Sequence, residues 1–190
     1  PLAGHVVVRI HRPQIEQEAY ANLDAIAQLK TSQVESWLDE RYNDGMVIMS
    51  IPGFVRQVEA LQSAGGSRVQ NDVRAKLGSV IEALQHDTAL LVTTFGKPLV
   101  DIGAFGPLSE ESKELLPQAL ASSLPLHTQI FADANGHSQI EFVVPLIRYS
   151  NALPHPVGAV ILRVSPDRFL FPYIRHWPTP TGSGESLLVR

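Results

Sequence analysis

Between residues 13 and 47 apolar side chains recur with a helical period. Leu23, Ile26, Leu29, Val34, Trp37 and Leu38 stand three to five positions apart, with Glu, Gln, Lys and Asn between them. Pro13 suits a first helical turn. No strong breaker precedes Gly45, and the apolar pattern resumes at Met46, Ile48, Met49 and Ile51 before Pro52. The spacing predicts one helix of roughly 35 residues, about 50 Å long at 1.5 Å per residue. Such a helix exceeds what one small domain can bury, so part of it projects or packs on a second copy of itself. Residues 1–12 are ambiguous: Val6-Val7-Val8 fits a short strand or the end of a helix that begins upstream.

A short helix is expected over 52–61, broken by Ser63-Ala64-Gly65-Gly66-Ser67. Val69, Val73, Leu77, Val80, Ile81 and Leu84 then share one face of a second amphipathic helix. After His86 the period falls to that of strands. Residues 89–94 and 99–102 read as strands around a turn at Phe95-Gly96-Lys97-Pro98. Residues 109–123 read as helical, with Pro117 limiting the regularity. A third strand is expected over 128–132. Asn135-Gly136 is a strong hairpin signal, and Ile140, Phe142 and Val144 alternate along a fourth strand over 139–147. A loop is expected over 148–156 and a fifth strand over 157–164. Ser165 and Pro166 then suit the N-cap and first turn of a short aromatic helix over 167–177. A polar loop leads to Ser186-Leu187-Leu188-Val189, the start of another strand. A chain that begins at Pro1 and ends inside a strand pattern is expected to be one piece of a longer protein.

Five mostly antiparallel strands with helices to one side define an α+β class. Hydrophobic content of 44% supports a proper core. A net charge of -4 with scattered basic residues argues against nucleic-acid binding. With Cys at 0, disulfides, thiolate metal sites and thiol redox chemistry are excluded. No apolar run approaches the roughly 20 residues that span a bilayer.

The blocks ANLDAIAQLKTSQVESWLDERYND, FVVPLI, VGAVILRVSPDRFLFPYIRHWP and TGSGESLLVR, in this order, resemble bacterial extracytoplasmic Cache sensor domains. The resemblance runs from about Tyr20 to Arg190. It implies a long N-terminal helix packed on a PAS-like five-stranded antiparallel sheet module, with the start of a second, smaller module. On that mapping residues 1–87 are the signalling helix and its helical cover. Residues 88–165 are the membrane-distal module, and 166–190 are a connecting helix plus the first strand of a truncated membrane-proximal module. The resemblance further implies a periplasmic domain of an inner-membrane sensor kinase or diguanylate cyclase. Its membrane segments and output enzyme lie outside this chain.

Enzyme chemistry finds little footing. His5, His11, His86, His127, His137, His155 and His176 show no paired ligand spacing, so they read as surface or loop residues. Gly182-Ser183-Gly184-Glu185 lacks the Lys of a phosphate loop and precedes a strand. Glu110, Glu111 and Glu114 complement a helix N-terminus. Trp37, Glu40 and Arg41 read as a packing and ion-pair cluster. Phe169, Phe171, Tyr173 and Trp177 read as a hydrophobic joint between modules. No nucleophile, base and orienting group assemble, and neither cofactor nor metal is implied.

In the resembled family small molecules bind between a sheet face and its covering helices and loops. A small anion would need a cation and donors, which Arg148 and Tyr149 at the end of the fourth strand supply. Asp101 and Asp133, near strand ends, would hold an ammonium group, and Phe131 would wall the site. The Tyr, Arg, Trp and later Asp pattern of amino-acid-binding double-module domains is not evident. The expectation is a ligand-sensing domain that dimerises through its long helix. The alternative is a ligand-free dimerisation, relay or partner-docking domain.

Overall fold

The computed structural model describes residues 2–133, 135–168 and 170–175. Two compact units divide the chain: residues 1–38 with 169–190, and residues 39–168. The strand expected at 186–189, with Trp177 and the polar loop before it, lies outside the described residues.

The first unit is built on α1 (Leu2–Met49), which is longer than its sequence pattern predicts. The ambiguous N-terminal residues are helical, and Pro13 sits inside the helix. Packed with α1 is the short helix α5 (Leu170–Arg175). The Lys30 ammonium donates to the carbonyl of Tyr173 at 3.1 Å and to that of Ile174, in the last turn of α5. Those carbonyls have no partner within a helix, and a cation suits that end of its dipole. Leu170 and Ile174 are buried. Tyr20, Leu23 and Leu29 on α1 are exposed.

The second unit takes the end of α1 and adds α2 (Phe54–Ala64), α3 (Ser67–Ala83), α4 (Glu110–Ser122) and a sheet. The strands are β1 (Thr88–Thr93), β2 (Pro98–Ile102), β3 (Leu126–His127), β4 (Phe131–Ala132), β5 (Ser138–Ser150) and β6 (Leu153–Val164). The sheet order is β2-β1-β6-β5-β3, with β4 also on β5, and every pairing is antiparallel. The third strand expected from sequence is thus split into β3 and β4.

Helices cover both faces, not one. On one face α4 packs Leu116, Ala119 and Leu120 against Leu90, Val92, Val143, Ala159 and Ile161. On the other, a Cβ at Gly45 of α1 would lie 3.1 Å from Val144, whose side chain points opposite to Val143. Ala89 to Val92 are therefore buried at successive positions, and β1 reads as a continuous apolar run.

The expected loop over 148–156 is paired structure. β5 and β6 run on as a two-stranded ribbon to a tight turn at Asn151 and Ala152, which have φ of 50° and 63°. Pairing of β1 with β6 ends at Gly158, so the outer edge of β6 is open over 153–157. Pro154 and Pro156 fit there because an open edge has no ladder to which a missing N–H matters.

Candidate functional site

Within the second unit, one cavity of about 750 Å³ opens beside α4. Its walls are the loop after β2 (residues 104–109), the first turn of α4, the β4–β5 hairpin, and the strand ends at Thr88 and Arg163. The loop is turned inward by its backbone. Gly103 has φ 72°, and a Cβ there would stand 2.1 Å from the Asp87 carbonyl oxygen, so only glycine passes this close approach. Asp101 Oδ1 then accepts the Phe105 N–H at 2.8 Å, which closes the turn and seats Phe105 in the core.

At the base of the cavity lies a charge network that links three elements. Glu141 on β5 faces Arg163 on β6 in register and has no solvent exposure. Arg163 Nε donates to Glu141 Oε1 at 2.8 Å, and Nη2 donates to the same oxygen. Nη1 reaches the Phe105 carbonyl at 2.6 Å and Nη2 the Pro107 carbonyl at 2.8 Å. The guanidinium carbon lies 4.0 Å from the Phe105 ring centroid. The other carboxylate oxygen, Glu141 Oε2, accepts the Ser109 hydroxyl at 2.5 Å. Ser109 is the N-cap of α4, its Oγ accepting the Ser112 N–H at 3.1 Å. A buried carboxylate is tolerated only when paired and hydrogen-bonded in this way.

The rim carries further charge. Asp133 accepts the backbone N–H of His137 at 2.9 Å and of Asn135 at 2.8 Å. These bonds, the His137 one first, hold its carboxyl below the usual carboxylate range. Lys113 pairs with Glu110 at 2.6 Å, and Asp87 pairs with Arg168.

Of the residues singled out from sequence, the structure brings Phe131 and Asp133 to this cavity. Asp101 holds the adjoining loop from outside its lining. Arg148 and Tyr149 are not at the cavity. They lie on the exposed β5–β6 ribbon, where Arg148 Nε donates to Glu59 of α2 at 2.7 Å and Tyr149 is 63% exposed. Glu141, Ser109 and Arg163 went unnoticed. The available signal was a lone acid and a lone base inside the apolar runs IEFVVPLI and GAVILRV.

A second buried cluster joins α1 to the entry of β1. His86 Nε2 lies 2.9 Å from Asp44 Oδ2, which also pairs with Arg41 Nε at 3.1 Å. Burial lowers the His86 pKa and outweighs the hydrogen bond and charge of Asp44, which raise it; Arg41 lowers it further and Asp87 raises it. Among the described residues no three His, Cys, Asp or Glu gather as a metal site, and no helix is long and apolar enough to cross a membrane.

No protein-family model matches the chain, and no curated protein matches it. Solved structures do. The ligand-binding domain of the Campylobacter jejuni chemoreceptor Tlp3, in complex with L-norvaline, aligns over 89% of this chain and 66% of its own, with TM-score 0.63 and 15% identity. The sensor domain of the V. cholerae histidine kinase DctB aligns over 79% and 57%, with TM-score 0.58 and 15% identity. The ligand-binding domain of the Pseudomonas aeruginosa PAO1 amino acid chemoreceptor PctC, in complex with GABA, aligns over 82% and 64%, with TM-score 0.53 and 17% identity. The chain spans under two thirds of each. At such identities the likeness is one of fold: a long N-terminal helix beside an antiparallel α+β sheet module. That fold is the PAS-like, Cache-like fold of extracellular sensor domains.

Proposed function

We propose that this chain is the extracytoplasmic sensing region of a bacterial transmembrane signalling protein, with its solute site in the cavity beside α4. The cavity itself carries the reading. About 750 Å³ of space, lined by hydroxyls, carboxylates, an aromatic ring and backbone groups, is the size and mixture of a small-molecule site. The neighbouring chemoreceptor domains hold L-norvaline and GABA, which supports a small polar solute here. Binding would shift the population between two arrangements of the module. The signal would pass to a kinase or diguanylate cyclase output through α1, which pairs with a second copy along the exposed stripe that holds Tyr20 and Leu23, three positions apart on the helix.

A thermal-shift screen against a metabolite library tests this, with Ala132→Trp as the blocked control. Ala132 is an exposed lining residue, so the variant keeps the melting temperature of the free chain and loses the ligand-induced rise. The second reading, a ligand-free relay, draws on the side chains Phe105, Leu108, Leu116 and Leu120, which fill the space directly between α4 and the sheet. A library that raises the melting temperature nowhere favours that reading.

A further inference from the structure

The charge of the cavity sets the sign of what it holds. Its ionisable lining comprises Asp87, Glu110, Glu111 and Asp133 against Lys113 and Arg163, with Asp87 paired to Arg168 outside the lining, so Glu111 and Asp133 carry the acid excess. The cation at its base is largely committed: Arg163 is held by Glu141, by the carbonyls of Phe105 and Pro107 and by the Phe105 ring. A ligand carboxylate that took the Arg163 edge now on Glu141 would leave that fully buried carboxylate with the Ser109 hydroxyl alone, a costly outcome. Lys113 is half exposed and already engaged by Glu110. Glu111 has no ion-pair partner among the described residues, and Asp133 stays ionised at the rim. Phe131 lies in the same wall, and an aromatic ring attracts a cation placed over its face. A bare metal ion fits poorly, because the acids are spread around the cavity and form no ligand cluster.

We infer that the solute of this cavity is an organic cation, a primary amine or quaternary ammonium compound, and that a carboxylate is not what it recognises. The inference rests on the sensing role proposed above and names the ligand class for it.

Titration calorimetry on the whole chain tests it, with choline and 1,4-diaminobutane as cationic probes, GABA as a zwitterion and succinate as a dianion. The expected order of affinity is cation, then zwitterion, with no heat from succinate. Glu111→Lys and Asp133→Asn, both at the rim and away from the core, each weaken the cationic probes about three- to tenfold, the span from exposed to half-buried ion pairs. Glu111 lies in the first turn of α4 and Asp133 closes the hairpin, so each variant melts slightly lower, and a cooperative melt well above the assay temperature shows that the fold survives. Succinate or GABA binding at least as tightly as the cations overturns the ligand class and leaves the sensing role standing. Cation binding that both variants leave untouched overturns the assignment to this cavity. Silence from all four probes together with the wider library overturns both readings at once.

Discussion

Arg163 and Glu141 define the residue scale, because each is tolerable only beside the other. Arg163→Met leaves a fully buried carboxylate with only the Ser109 hydroxyl, and about 3–5 kcal/mol of stability is expected to be lost. Replacing both members by Met recovers most of that loss, and urea unfolding of the single and double variants measures the difference. His86 gives a pH signature. Its pKa is lowered in the fold, so as pH falls the unfolded chain binds the proton first, near the ordinary 6.5. Stability is therefore level above that range, falls as pH drops through it, and levels again below the folded value. Denaturation midpoints at several pH values show this step, and His86→Gln removes it. Asp133 and Phe131 line the cavity, and the hairpin signal that places strand ends is what singles them out in the sequence. Glu141 is not singled out, because alternation along one strand assigns a charge to the solvent side. Only the register with β6 shows a guanidinium waiting opposite. Arg148 and Tyr149 follow the last apolar residue of the fourth strand pattern and so read as a strand end, whereas β5 continues past them.

At the scale of elements, periodicity located every helix and most strands of the second unit to within a few residues. The failures share a cause. Residues 148–156 hold Asn, Ala and two prolines, a composition that normally marks a loop, yet their pairing follows from the long strands that feed them. Ala152 holds φ 63° in the turn of that ribbon, a conformation that suits glycine. Ala152→Gly is expected to raise stability by up to about 1 kcal/mol, the relieved strain exceeding the added freedom of the unfolded chain. Gly158 predicts the opposite. A Cβ there would stand 2.3 Å from the Val92 carbonyl oxygen, at the junction of β1 and β6. Gly158→Ala forces the two strands apart and is expected to cost about 1–3 kcal/mol. Thermal unfolding of the two variants tests both signs.

For the molecule as a whole, the exposed side chains of α1 bear on assembly. Leu23 and Leu29 are about half exposed on a helix that buries Lys30 and Trp37. If α1 pairs with a second copy, light scattering of the whole chain shows a dimer, and Leu23→Asp with Leu29→Asp returns it to monomer without lowering the monomer's unfolding temperature. A chain that stays monomeric at high concentration removes that pairing. The long helix and the sheet module were legible from repeating apolar spacing, which reports local structure well. The cavity was not, because its walls come from four separated segments that only the folded topology brings together.

The loop after β2 ends at a cavity mouth, where polypeptide is ordinarily the first part of a domain to loosen. Here Arg163 holds two of its carbonyls and Asp101 one of its amides. Arg163 is itself anchored through Glu141 to the strand pair at the centre of the sheet. The Phe105 amide should therefore exchange its hydrogen with solvent as slowly as the amides of β5 and β6, opening only when the sheet does. A solute arriving at this mouth meets a surface already in shape, so its capture involves little loss of chain motion and proceeds at close to the rate of encounter.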